Sequence, residues 1–294
     1  MYREVLVYTS TGDTARRMSE YAAVFASTLK ARLAGIVVDV DFVDYSTIES
    51  AITESQKASA VEILLKQRSQ SHEAALRAGS LFEVKAHQRG VLCDMHYKTY
   101  VSAEIPDVVT EMARLYDCAL VPSVEEVGGF EVPIIEEVIF GSGRPLIVLP
   151  IDHDVACSLG YVVVAWDGSR PATRAVHDAL PILREATAVD ILTITEEKLL
   201  DRLSSGQDLV RHLKAHDISA RYEEVHFQWQ ACRRADYERG AAPRCRALGH
   251  GGVWALPSEA NRFWRGDSYD FEGSAPSSTA IAIKAANNAD TTQR

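Results

Sequence analysis

The chain has 294 residues, a hydrophobic fraction of 47% and a formal net charge of -10 at pH 7. Such a length fits two ordinary domains, and such a hydrophobic fraction is typical of proteins with buried cores. The negative charge disfavours a nucleic-acid surface, which needs clustered Lys and Arg, and no apolar run approaches the roughly 18 to 20 residues of a membrane span. Residues 1–10 predict a strand rather than a signal sequence. We therefore expect a cytoplasmic protein that binds neither nucleic acid nor membrane.

The cysteines predict reduced thiols and no metal site. They are odd in number and widely scattered, which fits a reducing compartment better than a disulfide framework. Cys93 and His96 have a C-x2-H spacing, but a metal site needs further ligands and no second pair lies nearby in the sequence. The five cysteines are Cys93, Cys118, Cys157, Cys232 and Cys245.

Residues 1–150 predict strands that alternate with helices. The strands are expected at 4–9, 36–40, 91–100, 118–122 and 146–150. The first helix is expected to stop at Gly35, and its apolar face comprises Met18, Ala22, Phe25, Leu29 and Leu33. Glycine is the residue that most often ends a helix. Strands that alternate with helices throughout predict a doubly wound parallel sheet.

A long helix is predicted between the second and third strands. It runs from about Ser50 to Arg89, and Gly90 is expected to end it. Shorter helices are expected at 108–116 and 131–139. The positions of the long helix expected to be buried include Ile63, Leu64, Ala74, Leu76 and Leu81.

The pattern begins again at Tyr161. Residues 161–170, YVVVAWDGSR, predict a strand buried on both faces and a turn that opens a helix, with Ser169 as N-cap and Pro171 in the first turn. A second strand is expected at 189–194, a helical region at 199–216 and a third strand at 219–227. An internal repeat of about 150 residues predicts a tandem protein.

Two segments carry a resemblance to a known family: VVVAWDGSR at 162–170 and FGSGRPLIVLP at 140–150. They resemble tandem-domain universal stress proteins. The resemblance implies an α/β fold of tandem, doubly wound, parallel five-stranded sheets, of the adenine-nucleotide alpha-hydrolase-like type. The domains are expected at 1–150 and 158–227, and the second is expected to be incomplete at its C-terminal end.

The resemblance also implies a nucleotide site. In family members that bind ATP, an acidic residue after the first strand contacts the adenosine part, and a G-x2-G-x9-G-[ST] loop after the fourth strand surrounds the ribose and phosphates. Asp167 matches the first feature, and Gly168 and Ser169 beside it are further candidates for nucleotide binding. Gly141 and Ser142 match the last two positions of the loop. Glycines suit such a loop because they let backbone amides approach phosphate oxygens.

Structural alternatives for these residues remain open. Asp167 can simply cap a turn, and Gly141 with Ser142 can form a glycine-rich turn that leads into the fifth strand. The first half lacks the acid, since Ser10 stands in its place, and does not keep the loop spacing. Residues 10–14 lie where adenylating enzymes bind pyrophosphate, but they lack the adjacent glycines of those enzymes. The nucleotide site of the first domain is therefore expected to be degenerate.

Residues 228–294 break the pattern, because they show no apolar periodicity of helix or strand length. Trp229, Trp254 and Trp264 fall here among Arg, Gly, Ser and Pro, whereas disordered segments are poor in Trp. Trp has a single codon, and a forward shift of one base turns Trp254 and Trp264 into glycines with nine residues between them. That is the x9 spacing of the missing loop. We interpret 228–294 as a frameshifted, disordered tail that replaces the fourth and fifth strands.

The function that the resemblance implies is a stress response. The protein is expected to act through nucleotide-linked or constitutive contacts with partners, not by catalysis, with at most a weak ATPase activity. ATP is implied for the intact family member and no cofactor for this chain as encoded. The implied partners are further copies of the chain or other stress proteins. Two alternatives remain: a slowly ATP-hydrolysing or adenylating enzyme of the same fold, and a nucleotide-free interaction scaffold.

The frameshift interpretation makes a prediction about the gene. The nucleotide sequence across codons 225 to 294 should, in the shifted frame, encode two further strands and a glycine loop before any stop codon. Sequencing the genomic DNA checks this expectation. An early stop codon in the shifted frame, or the lack of two further strands there, would contradict it.

Overall fold

The computed structural model describes residues 1–9, 11–40, 54–122, 131–149, 159–195, 205–226 and 280–281. The strands are β1 Glu4–Tyr8, β2 Arg32–Val40, β3 Cys93–Tyr100, β4 Cys118–Pro122, β5 Leu146–Leu149, β6 Tyr161–Ala165, β7 Ala188–Thr195, β8 Ala220–His226 and β9 Ala280–Ile281. The helices are α1 Asp13–Leu29, α2 Glu54–Gln88, α3 Ile105–Ala113, α4 Glu131–Gly141, α5 Arg170–Glu185 and α6 Gly206–Lys214, with a 3₁₀ turn at Ser102–Glu104.

The first half forms a parallel sheet with the strand order β3-β2-β1-β4-β5, and we call it sheet A. All four neighbouring pairs are parallel. One face packs against α1 and the end of α2, and the other face packs against α3 and α4. The strand order reverses between β1 and β4, which is the topological switch point of a doubly wound sheet. The predicted α/β fold is confirmed here.

The second half forms a sheet of three parallel strands, β6-β7-β8, which we call sheet B. Helices α5 and α6 contribute to one core with the α1 side of sheet A. The hydroxyl of Tyr2 donates a hydrogen bond of 2.5 Å to the carbonyl of Asp178 in α5, which joins the two halves. Sheet B is thus a second sheet of three parallel strands, β6-β7-β8.

The only described residues beyond 226 form β9, and this strand joins sheet A. Ala280 and Ile281 pair in parallel with Leu146 and Ile147 of β5. The predicted disorder of 228–294 otherwise concerns residues outside the described ones.

The prediction that the first helix runs to Gly35 was wrong. Helix α1 ends at Leu29, because Lys30 adopts a left-handed conformation (φ 55°) and its N–H bonds back to the carbonyls of the last turn. Leu33 and Gly35 lie inside β2. Gly35 is needed for packing, since a Cβ there would contact the Met95 side chain and lie 3.0 Å from Phe82 Cε1.

The long helix was predicted correctly, but not its buried face. Ile63 is 58% exposed and Leu76 is 44% exposed. The buried residues of α2 are instead Ala75, Ala78, Gly79, Phe82 and Ala86. Small side chains let the last turns of the helix lie close to α1 and β2, which sequence periodicity does not reveal. Leu64, Ala74 and Leu81 are half-buried.

The first turns of α2 extend past sheet A. The helix leads back to the amino end of β3, so it runs antiparallel to the strands. Ser71 Oγ accepts a 2.9 Å hydrogen bond from Val40 N at the carboxyl end of β2. The turns before Ser71 therefore lie beyond the edge of the sheet, which explains the exposure of Ile63.

The remaining predicted strands and helices are observed with shifted ends, as far as the described residues extend. None of the helices in that part of the chain combines the length and apolarity that crossing a bilayer requires.

The packing of α2 predicts a contrast between two of its apolar residues. Phe82→Ala should lower the free energy of unfolding by about 3–5 kcal/mol, because the ring is buried and its loss leaves a cavity. Leu76→Ala should change it by less than about 0.5 kcal/mol, because that side chain faces solvent. Urea unfolding at equilibrium measures both. Equal losses would contradict the exposed position of Leu76.

Candidate functional site

Asp167, Gly168 and Ser169 form one turn at the carboxyl end of β6. The strand buries Val162 and Val164 on the α5 side, and the chain then turns directly into α5. Carboxyl ends of parallel strands are where open α/β sheets bind ligands. The structure thus brings these three predicted residues together at the end of the sheet where ligands bind.

The hydrogen bonds of the turn show how it is built. Asp167 Oδ1 accepts a 2.9 Å hydrogen bond from Ser169 N. Gly168 adopts φ 74°, a conformation that L side chains rarely take. Ser169 is the N-cap of α5, and its Oγ accepts a 3.2 Å hydrogen bond from Ala172 N. The turn-capping alternative therefore accounts for one carboxylate oxygen of Asp167 and for the Ser169 hydroxyl.

The turn does not use the second carboxylate oxygen of Asp167. Its side chain is exposed. Only Oδ1 takes part in a hydrogen bond within the described residues. The second oxygen can accept a hydrogen bond from a ligand hydroxyl or amino group, which is the chemistry expected for adenosine recognition.

Trp166 and Thr193 lie beneath this turn and were missed by sequence reasoning. Trp166 is 7% exposed, and its carbonyl accepts a 2.8 Å hydrogen bond from Thr193 Oγ1 at the end of β7. Its indole Nε1 is buried and has no hydrogen-bond partner among the described residues. A Trp between a buried strand and an acid is the signal that could have identified it. The two residues fix the carboxyl ends of β6 and β7 relative to each other.

Gly141 and Ser142 lie elsewhere, at the turn between α4 and β5. Ser142 Oγ donates a 2.6 Å hydrogen bond to the Val138 carbonyl and accepts one of 3.0 Å from Arg144 N. A Cβ on Gly141 would lie 2.9 Å from Thr110 Cγ2, so the glycine allows α4 to approach α3. The structure places both residues just before β5, at the amino ends of the sheet A strands. Ligands of parallel sheets bind at the opposite edge, and the turn alternative explains every contact of Ser142.

The switch point of sheet A lies at the carboxyl ends of β1 and β4. Thr9 is 1% exposed there, and its Oγ1 has no hydrogen-bond partner among the described residues. Gly12 caps α1 with φ 83° and offers no side chain to the helix N-terminus. Burial, and secondarily the charge of Glu131, raise the pKa of the adjacent Tyr8. Ser10, which occupies the position of the acid, lies outside the described residues.

A second polar group that sequence reasoning missed lies beside this switch point. Asp39 is 7% exposed at the end of β2, and its Oδ2 is 3.0 Å from Nδ1 of His72 in α2. Its Oδ1 is buried without a hydrogen-bond partner in the described part of the chain. The pair anchors α2 to the carboxyl end of β2 in sheet A. An acid at the end of a second strand gave no motif in the sequence.

The described residues contain no cluster of three or more His, Cys, Asp or Glu that could hold a metal ion. Burial, followed by the charges of Glu83 and Asp94, raises the pKa of the Cys93 thiol, which disfavours the thiolate that a metal requires. His96 Nε2 lies 3.3 Å from the Tyr116 hydroxyl.

Comparisons with known proteins bear on the fold. No protein-family model matches the chain, and no curated protein matches it. The chain is similar to the crystal structure of a universal stress protein from Archaeoglobus fulgidus DSM 4304. The TM-score is 0.52 and the identity 14%, over 81% of this chain and 84% of that chain. This likeness shows a shared fold, in agreement with the predicted fold class.

Two further solved structures are similar at lower TM-scores. One is a putative universal stress protein from Pseudomonas aeruginosa UCBPP-PA14, with a TM-score of 0.43 and 12% identity over 80% of this chain and 79% of that chain. The other is a universal stress protein in complex with cAMP, with a TM-score of 0.33 and 15% identity over 51% of this chain and 98% of that chain.

The turn predicts that its two polar side chains differ in structural importance. Ser169→Ala should lower the free energy of unfolding by about 1 kcal/mol, because it removes the N-cap acceptor of α5. Asp167→Asn should leave stability nearly unchanged, because the amide oxygen can still accept from Ser169 N. Urea unfolding measures both, with Ser169→Thr as the control that keeps the cap. A large loss in Asp167→Asn would show that the charge itself is structural.

Proposed function

We propose that this chain is a cytoplasmic universal-stress-type protein that acts by binding and not by catalysis. The observation that carries the proposal is the exposed carboxylate of Asp167, with one oxygen unused by its turn, at the carboxyl end of the first strand of sheet B. The fold shared with a universal stress protein supports it. The ligand class that suits this carboxylate is an adenine nucleotide such as ATP, held by its adenosine part.

The polar groups of the turn favour binding over chemistry. General acid–base or nucleophilic catalysis needs a reactive side chain held within hydrogen-bond reach of a second one. The Ser169 hydroxyl is used as the cap of α5, and Asp167 bonds only to backbone within the described residues. An activated nucleophile is therefore not built at this turn.

The same turn offers little to phosphates. A helix N-terminus binds anions through its free N–H groups, but here Pro171 has no N–H and the N–H of Ala172 is taken by Ser169. Gly141 and Ser142 stand at the amino edge of the other sheet. We therefore propose that the chain retains the adenosine side of a nucleotide site and lacks its phosphate side.

A nucleotide-free interaction scaffold is the second candidate. It is favoured by the outer edge of β6, which pairs with no strand of the described residues. An adenylating or ATP-hydrolysing enzyme is favoured by no contact among the described residues, and would require turnover that survives purification and disappears in Asp167→Asn.

Nucleotide binding should be weak in the chain as encoded. Each lost charge-assisted bond to phosphate costs roughly 1.5–3 kcal/mol, and roughly 4 kcal/mol separates micromolar from millimolar affinity. Isothermal titration with ATP should thus detect no binding tighter than about millimolar, since two such lost bonds suffice. A version with the reading frame restored after codon 225 should bind ATP, and Asp167→Asn should weaken that binding.

Asp167→Asn is the control for the restored chain, because it removes the charge and keeps the turn. Tight ATP binding by the unmodified chain that is lost in Asp167→Ala would show that the site needs no phosphate loop. A restored chain that binds no nucleotide, while remaining folded by circular dichroism, would favour the scaffold.

A further inference from the structure

Two histidine rings meet at the carboxyl end of α6. His212 lies in the last turn of the helix, and His216 directly follows its C-cap residue, Ala215. The ring centroids are 4.8 Å apart, with an angle of 67° between the ring planes. Residues four apart project from the same side of a helix, and this spacing explains why the two rings are in contact.

The backbone that carries the two rings is anchored to the core. His216 N donates a 2.9 Å hydrogen bond to the Leu213 carbonyl, and Ile218 N donates one of 3.0 Å to the same carbonyl. Leu213 and Ile218 are buried in the core that both halves share. His212 is exposed and His216 is half-buried. The pair is therefore held in place by its backbone and remains accessible from solvent.

The separation of the rings matches that of two imidazoles on one metal ion. An imidazole nitrogen binds Zn²⁺ at about 2.0–2.1 Å, and the ring centroid lies about 1.1 Å behind that nitrogen. Two rings that bind one ion at angles of about 90° to 109° then have centroids about 4.5 to 5.2 Å apart. The observed 4.8 Å falls inside this interval. Rotation about the Cβ–Cγ bond turns a nitrogen toward the ion and leaves the centroid nearly in place.

We propose that His212 and His216 form a binding site for a divalent transition-metal ion of the group Cu²⁺, Ni²⁺ and Zn²⁺. Imidazole is a ligand that suits all three ions, whereas Mg²⁺ and Ca²⁺ take oxygen ligands. Two histidines four residues apart on one face of a helix are also the zinc ligands of H-E-x-x-H metalloproteases. Two protein ligands leave coordination positions for water, so the bound ion exchanges with solvent.

The charged neighbours of the pair favour a cation. Arg211 is paired with the carboxylate of Asp208, which compensates its charge. Lys214 falls on another side of the helix by its spacing from both histidines. Asp217 directly follows His216, and the chain carries a formal net charge of -10 at pH 7. A negative protein raises the local concentration of cations.

A structural role is the alternative explanation for histidines at a helix end. A histidine in the last turn of a helix can interact with the final carbonyls and with the helix dipole. Each residue makes such interactions by itself. A chelate needs both rings at once, so the loss of either ring removes the site. This difference makes the two explanations separable by experiment.

The histidine pair lies far from the turn at Asp167. Helix α6 leads into the amino end of β8, which begins at Ala220, whereas Asp167 follows the carboxyl end of β6. Because β6, β7 and β8 are parallel, these two ends lie on opposite sides of sheet B. The metal site therefore goes beyond the proposed function and does not rest on it.

Calorimetric titration of the full chain with NiCl₂, in the absence of nucleotide, tests the pair. The double variant His212→Asn with His216→Asn gives the background from all other histidines and cysteines. The unmodified chain should bind one more Ni²⁺ ion than this double variant. Each single variant should bind that ion at least about tenfold more weakly, since even the outer partners of metal ligands contribute about 10- to 100-fold.

Two further variants are matched controls. Lys214→His combined with His216→Asn keeps the number of histidines but places the pair two residues apart, on different sides of the helix, so the ion should remain lost. His87→Asn removes an exposed histidine from the last turn of α2 that has no histidine three or four residues away, so the ion should be retained. Circular dichroism checks that each variant is folded.

A measurement on the unmodified chain needs no variant. Ni²⁺ should protect His212 and His216 together from carbethoxylation by diethyl pyrocarbonate, because a metal-bound nitrogen cannot react. His87 should remain reactive. Mass spectrometry of the digested chain reads the modification of each residue with and without NiCl₂.

Several results would overturn the inference. These are equal numbers of bound ions in the unmodified chain and the double variant, an ion that either single variant or the spacing variant retains at full affinity, and protection of His87 equal to that of the pair. Binding of Mg²⁺ as tight as that of Ni²⁺ would also contradict it, because imidazole does not suit Mg²⁺. None of these outcomes touches the nucleotide proposal, because ATP is absent from the assays.

Discussion

A parallel sheet has to bury both of its faces, and the two sheets of this chain differ in how far they meet that requirement. Sheet A is covered by α1 and α2 on one side and by α3 and α4 on the other. In sheet B, α5 and α6 cover the face that carries Val162 and Ile191, whereas Val163 and Leu192 remain half-exposed on the other face. This difference affects both the outer edge of β6 and the carboxyl ends of the sheet B strands, where ligands bind.

The site follows from the same geometry. In a doubly wound sheet, a ligand lies between loops that leave neighbouring strands on either side of the switch point. β6 supplies Asp167 from one side, while the described residues of sheet B contain no strand on the other side of β6. The carboxylate is therefore exposed and only partly used by its turn. Our proposal of a binding role with a weakened phosphate side starts from this arrangement.

The two halves are nevertheless one folded unit at their contact. Tyr2 of the first half bonds to the Asp178 carbonyl of the second, and burial raises the pKa of its hydroxyl. The core that contains Tyr2 continues through α1 into α5 and α6. The three described strands of sheet B are stabilised because part of their apolar surface is buried against the first half.

The sequence by itself determined the elements that rest on local patterns. Buried parallel strands appear as continuous apolar runs such as VVVA, and Ser169 with Pro171 marks a helix start, so the turn at Asp167 could be predicted with its role as a cap. The fold class followed from alternating strands and helices. These signals lie within a few neighbouring residues, so they can be recognised without knowledge of the tertiary contacts.

Only the tertiary structure decided which residues approach each other across the chain. Met95 and Phe82 pack against the bare Cα of Gly35 in β2, and Leu76 is exposed because small residues and Phe82 form the contact face of α2. Gly141 and Ser142 lie at the amino edge of sheet A, and His72 reaches Asp39 across 33 residues. Such placements depend on packing between elements distant in sequence, and no local pattern encodes the approach of two surfaces.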